Sequence, residues 1–377
     1  MLTINGRVRL WRRRWHSPAE GTSTPLDSWL DLAEASISLG VREMACRLNG
    51  DGKNFDKAAA NLKRTAQVQL SGETLRKLVE SEGKRVLRAQ QSGRLLLAWS
   101  AADCKTREQV TRLYLGSDGV MVPLVTDAEK ACRRRAIKQK RRRRGKRARP
   151  LPPRKPGADQ RYKGFKIIAS YDEAQDHRLV CGTRGDCEVA GRLMRREAGR
   201  IRLDQAAEKV GNVDGSPWIR NQIEGQSLPL DALGLDFYHL GENVHKARRE
   251  IYGEDDAAGK EWAGQLLHLF KHEGYEPARK QMLEWRVALT RGRPAADRRV
   301  NYVSERREMI RYPQFQAGGW QIGGGPTEAT CKTLTARLKG SGMRWDSDNA
   351  EAIMALEALT QSDLWDQYWK TQLRQTG

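Results

Sequence analysis

The chain has 377 residues, 38% of them hydrophobic, so it is globular in bulk and long enough for two or three packed domains. Its formal charge of +21, from 68 Lys and Arg against 47 Asp and Glu, suits a polyanionic partner whose condensed counterions are released on binding. No apolar run approaches the roughly 18 residues that cross a bilayer, and the Arg- and Trp-rich N-terminus has no apolar signal-peptide core, which argues against membrane insertion and export.

Residues 1–26 are basic and irregular, with Arg12, Arg13 and Arg14 between Trp11 and Trp15. From Asp27 the pattern turns helical, with Leu30, Ala33, Glu34 and Ile37 at three-to-four spacing. Further helices are predicted over 41–48 and 55–64 and after Ser71, a capping residue with Glu73 in the first turn behind it. Short helices with Arg and Lys outward over 27–105 resemble helix-turn-helix arrays, although a plain helical bundle has the same pattern. Near Thr111 the texture changes to strands, and RLYLGSDGVMVPLV over 112–125 is the first. An Arg-, Lys- and Pro-rich stretch over 130–158 cannot bury a core and is expected to be a mobile basic loop. Strands are predicted over 162–171 and 177–183, a helix over 188–209, and strands over 210–219 and 233–240 with a helix between them. Three strands, a helix, a strand, a helix and a strand is the RNase H-like order. The expected fold class is therefore an α/β core over 106–377 with a mixed sheet, preceded by an all-α region. A helical insertion is expected over 241–320, then a helix from Thr327 and a last one over 349–370.

Three acids stand out by context. Asp118 lies within the first sheet strand, Asp214 at the end of the fourth, and Glu328 opens the helix after the insertion. In such a sheet the first and fourth strands are neighbours and a late helix crosses them, so the three carboxylates can converge. Their mutual repulsion is offset by hard divalent cations, Mg²⁺ or Mn²⁺, and a pair of such ions serves in-line phosphoryl transfer. Each acid also has an ordinary explanation. Asp118-Gly119 and Asp214-Gly215 match hairpin turns, and an acid in a first helical turn, as at Glu328, complements the helix dipole. Asp236, beside His239, competes with Asp214 as a ligand. Arg133, Arg134, Arg135, Lys138, Lys140, Arg141, Arg142, Arg143 and Arg144 are the candidate phosphate contacts. Trp218 and Trp345 are either base-stacking platforms or core. The six cysteines, Cys46, Cys104, Cys132, Cys181, Cys187 and Cys331, contain no CxxC pair, so no zinc is expected. Scattered reduced thiols fit the cytoplasm, where a DNA partner would place the protein at the nucleoid.

The segments PLDSWL, GVREMACRL, DGVMVP, VDGSPWI, LDFYHLGENV and GGGPTEATCKTLTARLKGSGMRW resemble the DDE transposases of bacterial insertion sequences. The resemblance is to the ISKra-four family, related to the Mutator and ISL-three groups, and it runs from about Arg12 to Leu359. It implies metal-dependent cleavage at terminal inverted repeats and joining of the freed 3′ end to target DNA, by a homo-oligomer assembled on double-stranded DNA. Carried over by motif, the acids are Asp118, Glu328 and either Asp214, the preferred choice, or Asp236. The cysteine-rich ribbon common in the family is absent from RRRWHSPAEGTSTPLD, and its GDGA block reads NVDGS. The alternatives are a DNA-binding remnant that no longer cuts, a nuclease or resolvase that cuts without joining, and a basic RNA-binding protein. The last lacks the stacking aromatics such a sheet would carry.

Overall fold

The computed structural model describes residues 1–24, 37–145 and 150–374; the helix expected from Asp27 falls outside them up to residue 36. Residues 1–24 form two small antiparallel hairpins, β1 (Leu2–Thr3) with β2 (Gly6–Arg7) and β3 (Trp15–Ser17) with β4 (Gly21–Ser23). Three helices follow: α1 (Leu39–Gly50), α2 (Phe55–Ala66) and α3 (Gly72–Gln91). Asn54 accepts from the Lys57 N–H at 2.8 Å, and Ser71 Oγ from the Thr74 N–H at 3.1 Å. Each cap satisfies a donor that the first helical turn leaves without a partner. Leu75, Leu78, Val79 and Val86 form the buried stripe of α3, and Glu82 on the same face meets Arg42 of α1 in a buried ion pair at 2.9 Å.

A five-stranded mixed sheet forms the centre. Its strands are β5 (Arg112–Pro123), β6 (Tyr162–Asp172), β7 (Arg178–Thr183), β8 (Glu208–Val213) and β9 (Ala232–Leu235), in the order β7-β6-β5-β8-β9. β6 runs antiparallel to β5 and to β7, whereas β8 and β9 run parallel to β5. α4 (Asp127–Arg143) leaves the end of β5, while α5 (Cys187–Arg200) and α6 (Pro217–Gly225) lead into β8 and β9. A helical block follows: α7 (Phe237–Tyr252), α8 (Ala257–His272), α9 (Tyr275–Ala288), α10 (Arg293–Glu305) and α11 (Tyr312–Ala317). The described chain closes with α12 (Gly325–Ala336), α13 (Ser347–Gln361) and α14 (Trp365–Arg374).

Strand residues alternate faces, so β5 feeds two cores. Tyr114 and Val120 join α1–α3 and α12–α14 in one core; Leu115 joins Ile168, Met194, Ile219 and the apolar side of the helical block in the other. The N-terminal helices thus share a core with the sheet, and α3 packs along α13.

Several expectations need correction. The stretch expected as a mobile loop over 130–158 is helical through Arg143. Its Arg, Lys, Gln and Ala residues are good helix formers, and Thr126 with Glu129 makes a capping box. Acids at its start and bases at its end also complement the helix dipole. High charge kept it out of the core without unfolding it. The fourth and fifth strands are shorter than expected. β8 stops at Val213 because Pro217 opens α6, and β9 stops at Leu235 because Asp236 caps α7, accepting from the Tyr238 N–H at 3.0 Å. The C-terminal helix is two, parted near Asp363, which has φ +53. Asp118-Gly119 is no turn: both residues lie within β5, opposite Ile167 and Lys166.

Candidate active site

Register alone brings the acids together. The β5–β8 ladder ends with Leu115 opposite Gly211, and Asp118 and Asp214 each lie three residues further on. Val213 is opposite Leu235, so Asp214 and Asp236 are the next residues, and the Asp236 N–H donates to the Val213 carbonyl at 2.8 Å. Asp214 and Asp236 therefore follow directly on the carboxyl ends of the parallel strands β8 and β9, where open α/β sheets commonly bind ligands, and Asp118 completes the row from the middle of β5, just past the point where the β5–β8 ladder stops. Neighbouring strands are about 4.8 Å apart. In strand order Asp214 is one strand from Asp118 and Asp236 is two, beyond the last paired residues of β5 and β8.

α12 crosses the same face of β5. Gly116 leaves room for it: a Cβ there would lie 1.8 Å from Thr327 Oγ1. One turn further along α12, the Cys331 thiol donates to Asp118, which also accepts from the Gly119 N–H at 2.5 Å. Burial raises the Asp118 carboxyl above its ordinary value; the Gly119 bond opposes this, and the charge of Asp214 adds to it. Asp214 accepts from the Ser216 N–H at 2.8 Å and from Ser216 Oγ at 2.6 Å, which fixes its carboxylate against the turn at Gly215.

Asp236 is the most enclosed member of the row. Burial pushes its carboxyl up, but hydrogen bonds from His239, the Gly324 N–H and the Tyr238 N–H outweigh this and hold it below the usual value. His239 Nδ1 lies 2.7 Å from Asp236 Oδ2, and that bond raises the imidazole to about 9, with smaller contributions from Asp214 and Glu242. Near neutral pH His239 is therefore an imidazolium beside the row.

Glu328 stands apart. It is in the first turn of α12, exposed, and paired with Lys332 at 2.7 Å rather than turned among the aspartates. Its charge reaches the row at Cys331, whose thiol is raised by burial and then by Asp118 and, more weakly, Glu328. The helical block adds two groups that sequence reasoning missed. Arg306 donates to the Gly215 carbonyl at 2.9 Å, and the Tyr302 hydroxyl is raised by burial and, in part, by Asp214 and Asp236. Cys331, Ser216 and Gly324 were also missed. Their spacing carries no signal, because their roles depend on which strand end they face.

A groove of about 760 Å³ runs along α7, lined by Tyr238, Glu242, Asn243, His245, Lys246 and Arg249. Tyr238 is 70% exposed. Trp345 belongs to the core, edge-on to Phe55, with its indole N–H on the Leu338 carbonyl. Trp218 is half-buried under the Lys166 ammonium. On α4, Arg133, Arg135, Lys138, Lys140, Arg142 and Arg143 are exposed, as is Arg144 just beyond it. Arg141 is half-buried, and Arg134 is tied back to the carbonyls of Leu151 and Pro152.

The donors in the row are carboxylate oxygens, the class that hard divalent cations take; burial chiefly, with the charge of Asp214 adding to it, disfavours ionisation of Asp118, and among the described residues the row and Glu328 do not bring three ligand atoms within 4.8 Å of one another. In comparison with known proteins, no family model matches the chain and no curated protein does.

Proposed function

We propose that this chain is a transposase of the DDE type, which cuts DNA strands at the ends of a mobile element and joins them to target DNA on an RNase H-like core. The observation that carries the proposal is the row of Asp118, within β5, with Asp214 and Asp236 just past the ends of the parallel strands β8 and β9, and with α12 packed against β5. The sheet order 3-2-1-4-5, with the fourth and fifth strands parallel to the first, supports the RNase H-like reading, as does a helical block inserted after the fifth strand.

Asp118 and Asp214, on adjacent strands and near enough for the charge of Asp214 to raise the Asp118 carboxyl, are the pair that would share a cation, with Glu328 completing the set after turning from Lys332. Magnesium or manganese bound there would supply the charge that activates an attacking oxygen and stabilises the leaving one. Asp236 has a different part. It is occupied by His239 and two backbone N–H groups, and it holds an imidazolium where phosphate charge would gather. The exposed bases of α4 and the net charge of +21 favour double-stranded DNA as the partner. A second reading, a DNA-binding form that no longer cuts, is favoured by the outward pairing of Glu328.

The test is a magnesium-dependent assay on DNA from either side of the coding sequence, scored for nicks and for 3′ ends joined to a target. Asp118→Asn and Asp214→Asn are expected to abolish both products while leaving DNA binding intact. Asp236→Asn is expected to slow them by about 10- to 100-fold, as removal of an orienting group does. Binding without nicking in the unaltered protein favours the second reading, and nicks without joining indicate a nuclease. Full activity of Asp214→Asn would remove Asp214 from the metal set.

A further inference from the structure

A second group of metal-ligating side chains lies away from the acid row. Cys104, Asp172 and His177 each offer a ligand atom, and these atoms all lie within 4.8 Å of one another. The residues come from different places. Cys104 follows a single 3-10 turn (Ala101–Asp103) in the segment between α3 and β5, Asp172 ends β6, and His177 immediately precedes β7. Cys104 and Asp172 are almost wholly buried, whereas His177 is partly open to solvent and its ring stands 5.3 Å from that of Trp99.

Part of this arrangement is explained by the hairpin. His177 Nδ1 lies 2.7 Å from Asp172 Oδ2, and the His177 N–H donates to Asp172 Oδ1 at 3.2 Å, which closes the turn between β6 and β7. That closure has no use for a thiol. Cys104 nevertheless reaches the pair from a separate segment, with its own hydrogen bond directed to the Ser100 carbonyl at 3.6 Å.

We propose that Cys104, Asp172 and His177 bind a zinc ion that staples the segment leading into the sheet to the β6–β7 hairpin. One sulfur, one nitrogen and one oxygen donor suit zinc, whose thiolate and imidazole affinity magnesium lacks. Around a tetrahedral zinc ion such donors lie roughly 3.4–3.6 Å apart. Ligand atoms already within 4.8 Å of one another need changes in separation of at most about 1.4 Å to reach that spacing, and a zinc ion held by both His177 Nδ1 and Asp172 Oδ2 would replace their 2.7 Å hydrogen bond. The open side of His177 leaves the fourth position to water. This proposal departs from the expectation of no zinc. The ligands are brought together by sheet pairing, so CxxC-type spacing never reveals them.

The experiment measures zinc in the purified full chain after dialysis, then replaces it with cobalt(II). One equivalent of zinc and a thiolate-to-cobalt charge-transfer band in the near ultraviolet are expected. Cys104→Ser and His177→Gln should each lose that equivalent and the band, while Cys132→Ser, which alters an exposed cysteine on α4, should keep both. Cobalt held only by the acid row gives no such band. A check on the unaltered protein covers variants that fail to fold: chelation should lower its melting temperature by several degrees, and added zinc should restore it. Absence of a tightly held equivalent, a band that survives Cys104→Ser, or a melting temperature indifferent to chelation and zinc would each overturn the proposal.

Discussion

Asp236 and His239 illustrate how one hydrogen bond sets two charge states. The imidazole is raised to about 9 by the carboxylate it meets at 2.7 Å, while the carboxyl is held down by that bond and two backbone donors against its burial. In metal-free protein an NMR titration of His239 should therefore give a midpoint near 9, and Asp236→Asn should return it towards the ordinary histidine value near 6.5. Because the folded value is raised, the pair's contribution to stability is complete below about pH 6.5 and is lost as pH rises through about 9. A midpoint near 6.5 in the unaltered protein would mean that the pair does not form. Neither charge state could be inferred from LDFYHLGENV, which places a histidine near an acid without stating whether the two touch.

At the scale of elements, the closest fit lies between α12 and β5. Gly116 is there because Thr327 leaves no space for a side chain: an added Cβ would meet Thr327 Oγ1 at 1.8 Å and Thr327 Cβ at 2.9 Å. Gly116→Ala must lift the helix that carries Cys331 and Glu328, at a cost of about 1–3 kcal/mol. It is expected to lower the melting temperature and DNA-joining activity together. Gly119→Ala is the control, since the nearest atom to its added Cβ is the end of Lys166 at 3.8 Å and the N–H to Asp118 is retained. Its effect on stability should stay within about 0.5 kcal/mol. Equal destabilisation by the two variants would mean that the helix does not rest on the strand in this way. The glycine was visible in DGVMVP's neighbour LYLGS, but the reason for it lies more than 200 residues further along the chain.

Across the whole molecule, charge and core are arranged separately. The excess of Lys and Arg is displayed in part on α4, which buries none of its residues, so its composition can change at little cost to folding. Replacing Arg133, Arg135, Lys138, Lys140, Arg142 and Arg143 with Gln should leave the melting temperature nearly unchanged while weakening DNA binding. The salt dependence should flatten by about 0.9 in log–log slope for each phosphate that is no longer neutralised, or about 5 if all six side chains meet phosphates. An unaltered slope would mean that this helix faces away from the DNA. The two cores on either side of the sheet join the N-terminal helices to α13 and α14, so truncation before β5 should expose apolar surface rather than release an independent module.

What the sequence determined by itself was local. Strand-forming composition marked β5 and β6, the cap at Ser71 marked α3, and the acids with their immediate neighbours marked three candidate ligands, because such signals act over a few residues. The tertiary structure decided which acids share a strand end, that Glu328 pairs outward with Lys332, that Trp345 is core, and that Cys104 meets Asp172 and His177. Those outcomes follow from strand order and register. These are set by pairing between segments tens of residues apart, so no local pattern contains them.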